Sequence, residues 1–199
     1  MRKIAVFDFD GTITQKDTLL EFIKFAFGKI NFYMGFALYS PIICLMFLKL
    51  FPNWKCKEIV LGHYVRNMSH DEFQLKGQQF AEYVRTILRP DVLERMQYHI
   101  DKGHEVYIVS ASIEDWIVPF VNSVDSKITV LATKLDVDAG GFLTGKFATK
   151  NCYGVEKVNR LISYIPEISS HRDDFYIYAY GDSRGDREMM EFVDEGMMV

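Results

Sequence analysis

Ile4-Ala5-Val6-Phe7-Asp8-Phe9-Asp10-Gly11-Thr12-Ile13-Thr14 decides the fold of this 199-residue chain. Four consecutive apolar residues run straight into two carboxylates. The apolar run is too short for an export signal and fits a buried parallel strand. Asp8 and Asp10, two positions apart, share one face of an extended chain and repel each other. A divalent cation removes that repulsion, and hard carboxylate oxygens beside a phosphate suit magnesium. Gly11 lets the backbone turn sharply towards a ligand, and Thr12 supplies a hydroxyl. Asp-Gly is also a hairpin signal, so the stretch alone does not separate the two readings.

Downstream, Thr18 and Glu21 have capping-box spacing, and Leu19, Leu20, Phe22, Ile23, Ala26 and Phe27 give a helical apolar face. From Ile30 to Leu48 there is no charged residue, a run long enough for a membrane span. Pro41 interrupts it, which favours two buried helices joined near Ser40-Pro41 over a single spanning helix. Trp54 to Val65 and Ser69 to Leu88 read as helix, and another helix ends near Lys102-Gly103. Then the pattern changes. Val106–Val109, Ile128–Ala132 and Phe175–Tyr180 are short apolar strands alternating with helices over Ile113–Val121 and from Val155 to before Pro166. Asp138-Ala139-Gly140-Gly141 is a turn between extended segments.

Alternating strands and helices make an α/β fold with a Rossmann-like, three-layer parallel sheet. Each suspicious polar cluster follows a strand: Asp8 to Thr12, Ser110 to Ser112, and Gly181 to Asp186. In such sheets ligands bind outside the carboxyl ends of the strands. The helical block interrupts the alternation directly after the first strand. The expected organisation is therefore a core of residues 1–14 and 89–199 with an all-helical cap, 15–88, inserted between them.

A formal charge of −4 and the lack of a basic stripe argue against a nucleic-acid partner. The 49% hydrophobic content is enough for a substantial core. Three scattered cysteines, Cys44, Cys56 and Cys152, fit neither a disulfide framework nor a zinc site, and point to a reducing cytoplasm. The five histidines show no metal-ligand spacing and read as surface or structural residues.

Asp8-x-Asp10-Gly11-Thr12 resembles the first motif of the haloacid dehalogenase superfamily of phosphohydrolases. Ser110 at a strand end, Lys157, and Gly181-Asp182-Ser183-x-x-Asp186 agree with its later motifs in order and spacing. The helical insertion is similar to the cap of the phosphoserine-phosphatase-like branch. The resemblance implies a magnesium-dependent phosphatase acting on a small phosphate ester. Asp8 would be the nucleophile, and Asp10 the acid that serves the leaving oxygen and then the base that serves water. It implies magnesium at Asp8, the Asp10 main-chain carbonyl and Asp182, with Asp186 in support, and phosphate held by Thr12, Ser110, Ala111 and Lys157. Taken singly, Ser110 also suits a helix N-cap, Lys157 a solvated lysine, and Asp182 and Asp186 a helix N-terminus.

For specificity, Asp17 stands in register with an acidic residue that recognises the amino acid in phosphoserine phosphatases, and Arg66 is the candidate cap arginine. Gly185 stands where many of those enzymes carry asparagine, which counts against phosphoserine as substrate. An alternative is a phospholipid phosphatase, because Asp17-Thr18-Leu19 resembles bacterial phosphatidylglycerophosphate phosphatases and the cap is apolar enough for membrane or lipid contact. A non-catalytic phosphate-binding or interaction module on the same fold is the other class. The expected location is cytoplasmic, with membrane association on the lipid reading.

Overall fold

The computed structural model describes residues Met1–Val199. The strands are β1 (Arg2–Phe7), β2 (Glu105–Ile113), β3 (Thr129–Thr133), β4 (Leu135–Val137), β5 (Leu143–Phe147), β6 (Phe175–Gly181) and β7 (Glu195–Met198). The helices are α1 (Thr18–Phe27), α2 (Lys29–Phe47), α3 (Asn53–Val65), α4 (His70–Val84), α5 (Pro90–Asp101), α6 (Glu114–Asn122), α7 (Val155–Tyr164), α8 (Glu167–Ser170) and α9 (Arg187–Phe192).

β1 is the middle strand of a parallel five-stranded sheet ordered β3-β2-β1-β6-β7. Its register sets Phe7 beside Ile108 of β2 and Tyr180 of β6, so β1 and β6 end together while β2 runs on to Ile113. Its side chains alternate between two apolar layers, as the period of a strand requires. Ala5 and Phe7 join Val92 and Met96 of α5 and Trp116 and Phe120 of α6. Ile4 and Val6 join Leu161 of α7, Ile168 of α8 and Met189 of α9. Both faces are covered, which is why β1 reads as an unbroken apolar run. The expected three-layer α/β fold is present. The turn at Asp138 closes an antiparallel hairpin of β4 and β5, with Asp138 Oδ1 accepting from the amides of Gly140 and Phe142 at 2.8 and 3.0 Å.

β7 was not among the sequence expectations, because Asp194-Glu195-Gly196 lacks strand alternation. Side-chain chemistry holds it in place: the Asp194 carboxylate accepts from the Ile177 amide at 2.7 Å and from Arg172 Nη2 at 2.8 Å.

Two further expectations need correction. Asp17, not Thr18, caps α1: its Oδ1 accepts from the Leu19 and Leu20 amides at 3.0 and 3.2 Å. The capping box of Thr18 and Glu21 is not formed, and Glu21 pairs instead with Lys24 at 2.8 Å and with the Tyr83 hydroxyl. Residues 29–47 are not two buried helices joined at Ser40-Pro41. They form one helix, α2, which runs through Pro41 and buries only Phe32 and Gly35. Pro41 lacks the amide that would bond the Ala37 carbonyl, and the Ser40 hydroxyl donates to that carbonyl instead, at 2.8 Å. The helix therefore continues where proline alone predicts a break.

Candidate active site

The chain leaves β1 at Asp8, whose amide donates to the Tyr180 carbonyl at 2.9 Å. This holds its carboxylate at the carboxyl end of the sheet, where it is buried. Lys157 reaches it from the first turn of α7, with Nζ 2.7 Å from Asp8 Oδ1 and 2.5 Å from Asp186 Oδ1. Val158 and Leu161 anchor α7 to the sheet, and that anchoring aims Lys157 across the strand ends. Asp186 is fully buried, and its second oxygen accepts from the Ser183 amide at 3.1 Å and the Ser183 hydroxyl at 2.9 Å. Burial raises the Asp8 carboxyl to about 7, against the pull of Lys157 and with the repulsion of Asp186. The same burial works against charge on Lys157, but Asp8 and Asp186 outweigh it and hold the ammonium protonated well above its ordinary range.

Asp10 sits two residues on, in different company. Its Oδ1 accepts from the Thr18 amide at 2.9 Å and the Thr18 hydroxyl at 2.5 Å, and Ser112 Oγ lies 2.6 Å from Oδ2. Trp116 Nε1 donates to the Thr18 hydroxyl at 3.1 Å, so the hydroxyl that faces Asp10 is itself oriented. Ser112 gets there through a bulge. Between Ser110 and Ile113 the ladder advances three residues on β2 for one on β3, from Ala132 to Thr133, which re-aims the strand end. Asp10 is thus fixed by helix α1, β2 and α6 together, while Asp8 faces a lysine and two further carboxylates.

Those two carboxylates are Asp182 and Asp186, and with Asp8 they place one oxygen each within 4.8 Å of one another. Gly11, at φ 76°, packs so closely on Asp182 that a Cβ there would lie 2.1 Å from Oδ2. Arg89 Nη1 pins this loop by donating to the Gly11 carbonyl at 3.1 Å. Four carboxylates, Asp8, Asp10, Asp182 and Asp186, gather here with one buried lysine, which pairs with Asp8 and Asp186, so the cluster keeps an excess of negative charge. Hard oxygen donors in that arrangement fit magnesium.

A family model for haloacid dehalogenase-like hydrolases matches residues 5–191. The chain belongs to that family. It is 28% identical over 194 residues to protein CicA of Caulobacter vibrioides, covering 96% of this chain and 83% of the relative. Among solved structures it resembles a protein of unknown function from Bordetella pertussis Tohama I, at a TM-score of 0.85 and 19% identity, over 100% of this chain and 90% of the other. It also resembles a phospho-aspartyl intermediate analogue of phosphoserine phosphatase, at a TM-score of 0.64 and 16% identity, over 99% and 86% of the two chains. At these identities the structural likenesses speak for the fold.

In this haloacid dehalogenase-like hydrolase a cavity of about 590 Å³ opens above the cluster. Of the residues expected there, Asp8, Asp10, Asp17, Ser110, Ala111, Lys157 and Asp182 line it. Ser110 is buried, and its Oγ accepts from the Ser112 amide at 3.1 Å. Asp186 lies just beneath, on Lys157. Thr12 does not line the cavity: it is fully buried, and its Oγ1 has no hydrogen-bond partner. Arg66 is not brought to the site. It ends α3, exposed, against Gly145 of the β4–β5 hairpin. The lysine that α3 does turn inward is Lys57, with Nζ 3.4 Å from the Ala111 carbonyl. Gly185 is explained by packing, because a Cβ there would lie 2.4 Å from the Tyr153 ring. Sequence reasoning missed Lys57, Thr18, Ser112 and Trp116. Of these Ser112 carried a signal as a second serine two positions beyond Ser110, and Thr18 as the middle of Asp17-Thr18-Leu19.

Proposed function

We propose that this chain hydrolyses phosphate monoesters through an aspartyl-phosphate on Asp8, with magnesium as cofactor. The observation that carries the reading is the contrast between two carboxylates two residues apart: Asp8 against Lys157 and two more carboxylates, Asp10 in a cage of Thr18 and Ser112. Groups of one kind in such different surroundings take different chemical roles. An Asp8 oxygen attacks phosphorus, and the bond to the ester oxygen breaks while Asp10 delivers a proton to that oxygen. Asp10 then takes a proton from water, whose oxygen attacks the phosphoryl group and returns Asp8 as a free carboxylate. Lys157, Ser110 and the backbone at Ala111 hold the phosphoryl oxygens and offset their charge in the transition state. Held by Asp8, Asp182 and the Asp10 carbonyl, with Asp186 in support, magnesium would supply further neutralisation of those oxygens.

Helices α1 to α4, within residues 15–88, act as a cap that narrows access and excludes water. Asp17 and Lys57 at the cavity wall take the specificity role first given to Asp17 and Arg66. The substrate class at this level is a small-molecule phosphate ester.

The test is to trap the intermediate. Wild-type protein with magnesium and a reactive ester such as p-nitrophenyl phosphate should form an acid-stable, hydroxylamine-sensitive phosphoenzyme. Asp8→Asn should form none and lose turnover by several orders of magnitude, on the scale seen when a covalent nucleophile is removed. An Asp8→Asn protein that keeps most of its magnesium-dependent activity rules the assignment out.

A further inference from the structure

Helix α2 is apolar on two opposite sides. Phe32, Gly35, Phe36, Tyr39, Ile43 and Met46 face the protein. A second stripe, at the same helical spacing, faces solvent: Ile30, Tyr33, Met34, Leu38, Leu45 and Leu48, of which Ile30 is 77% exposed and Leu45, the least exposed, 40%. A helix apolar all round is ordinarily covered all round. Its inner side is packed on α1 and α3, so α2 lies along the surface of this fold and leaves only its outer stripe to meet a partner.

Charge names what covers it. From Phe22 to Lys57 the chain carries five lysines and no acidic residue, although its net charge is −4. Lys29 opens α2, Lys49 lies just past its end, Lys55 follows, all three are exposed, and none of them makes an ion pair. Trp54, half exposed, stands beside Lys55. Apolar stripe, flanking lysines and an interfacial aromatic are what an in-plane helix on anionic lipid requires. A second copy fits less well, because a two-fold contact that lays α2 antiparallel on its copy brings Lys29 of each towards Lys49 of the other. The same helix also roofs the site: Phe36, Ile43, Met46 and Phe47 line the cavity above Asp8 and Lys157.

We propose that the outer stripe of α2 rests on an anionic membrane surface, and that the ester turned over beneath it carries an apolar tail. The substrate half rests on the phosphatase reading above; the docking half does not. The full-length protein should pellet with vesicles of phosphatidylcholine containing one third phosphatidylglycerol, and not with pure phosphatidylcholine. Lys29→Ala and Lys49→Ala should each weaken binding about fivefold, the value of one lysine near an anionic surface. Met34→Glu with Leu38→Glu should abolish pelleting and leave turnover of p-nitrophenyl phosphate unchanged. Lysophosphatidate should be hydrolysed at least tenfold more efficiently than glycerol 3-phosphate. Failure to pellet with anionic vesicles overturns the docking, as does equal binding to both vesicle types. So does a concentration-dependent doubling of mass that the Met34→Glu/Leu38→Glu pair removes, which makes a second copy the occupant. Equal efficiency on the two esters overturns the tail. No turnover of p-nitrophenyl phosphate under any condition overturns the phosphatase reading and leaves the vesicle result standing.

Discussion

The Ile4–Phe7 run of β1 and the helix α2 are both uninterrupted by charge between their ends, and they finish in opposite situations. Ile4, Ala5, Val6 and Phe7 have no exposure at all, and the polar atoms that follow them are almost all paired. α2 has nineteen residues and buries two. A central strand is covered on both faces by the layers that define the fold, so its hydrophobicity is used up in folding. A surface helix needs only one apolar side, so a second apolar side is surplus to folding. Apolar content is the same signal in both. What separates them is whether the fold has a second layer to offer.

The contrast is broken most severely at the polar end of β1. Lys157→Ala leaves Asp8 and Asp186 buried without their cation, and breaking a buried pair in this way costs about 3–5 kcal/mol. The expected result is a large fall in urea midpoint together with loss of phosphatase activity. A variant as stable as wild type would show that the carboxylates are not held by Lys157. Asp182→Ala should behave differently, because Asp182 is exposed and makes no ion pair. Without magnesium its stability should stay within about 0.5 kcal/mol of wild type. With magnesium, the metal concentration needed for activity and for a rise in Tm should increase by at least about tenfold. Unchanged metal dependence would remove Asp182 from the metal set.

Much of the site was legible because the fold puts its chemistry where strands end. Asp8, Ser110 and Asp182 each follow an apolar run, and one parallel sheet brings such ends together. Lys157 was legible only through its motif, since one lysine on a helix is ordinarily solvated. Asp10's partners were not legible: Thr18 looked like a cap, and Trp116, which orients its hydroxyl, is also core, stacked on Phe22 at 4.6 Å. Lys57 could not be told from Lys55, two positions away, because helix rotation decides which one meets the cavity. Arg66 was misplaced for the same reason, since the turn of α3 at that point presents it to the hairpin. The continuity of α2 depended on one hydroxyl, Ser40, replacing one missing amide, and no periodicity records that.

A smaller effect is expected on the layer behind β1, where a polar residue is buried without a catalytic role. His99 of α5 is buried against Phe7 and Tyr178. Its Nε2 lies 2.9 Å from the Tyr180 hydroxyl and its Nδ1 2.7 Å from His104 Nδ1. A neutral ring satisfies both contacts, donating from one nitrogen and accepting at the other. Burial, helped by His104, lowers its pKa to about 4. The unfolded chain therefore binds a proton below about pH 6.5 that the folded chain refuses until about pH 4. Stability is fully present above that window and is lost as pH falls through it. Tm of wild type should drop faster between pH 6.5 and pH 4 than that of His99→Phe, whose ring does not titrate. Parallel profiles across the window would show that His99 contributes nothing to acid sensitivity.

The smallest expected effect lies on α2 and gives the sharpest form of the comparison. Leu38 is 62% exposed, so replacing it by serine gives up little buried apolar area, at about 25 cal/mol per Å² of area removed from water. Leucine is the better helix former, which adds a few tenths of a kcal/mol against serine. The sum is on the order of 1 kcal/mol, far below the cost of emptying a core site. Phe9→Ala, which empties a fully buried site, should cost about 3–5 kcal/mol. The ratio between the two is the measurable content of the claim that α2's outer side does not serve folding. Urea titrations of Leu38→Ser and Phe9→Ala against wild type measure it directly. If Leu38→Ser cost more than about 2 kcal/mol, its side chain would have to be covered in the folded chain. The outer stripe would then belong to the core, with nothing left over to meet a partner.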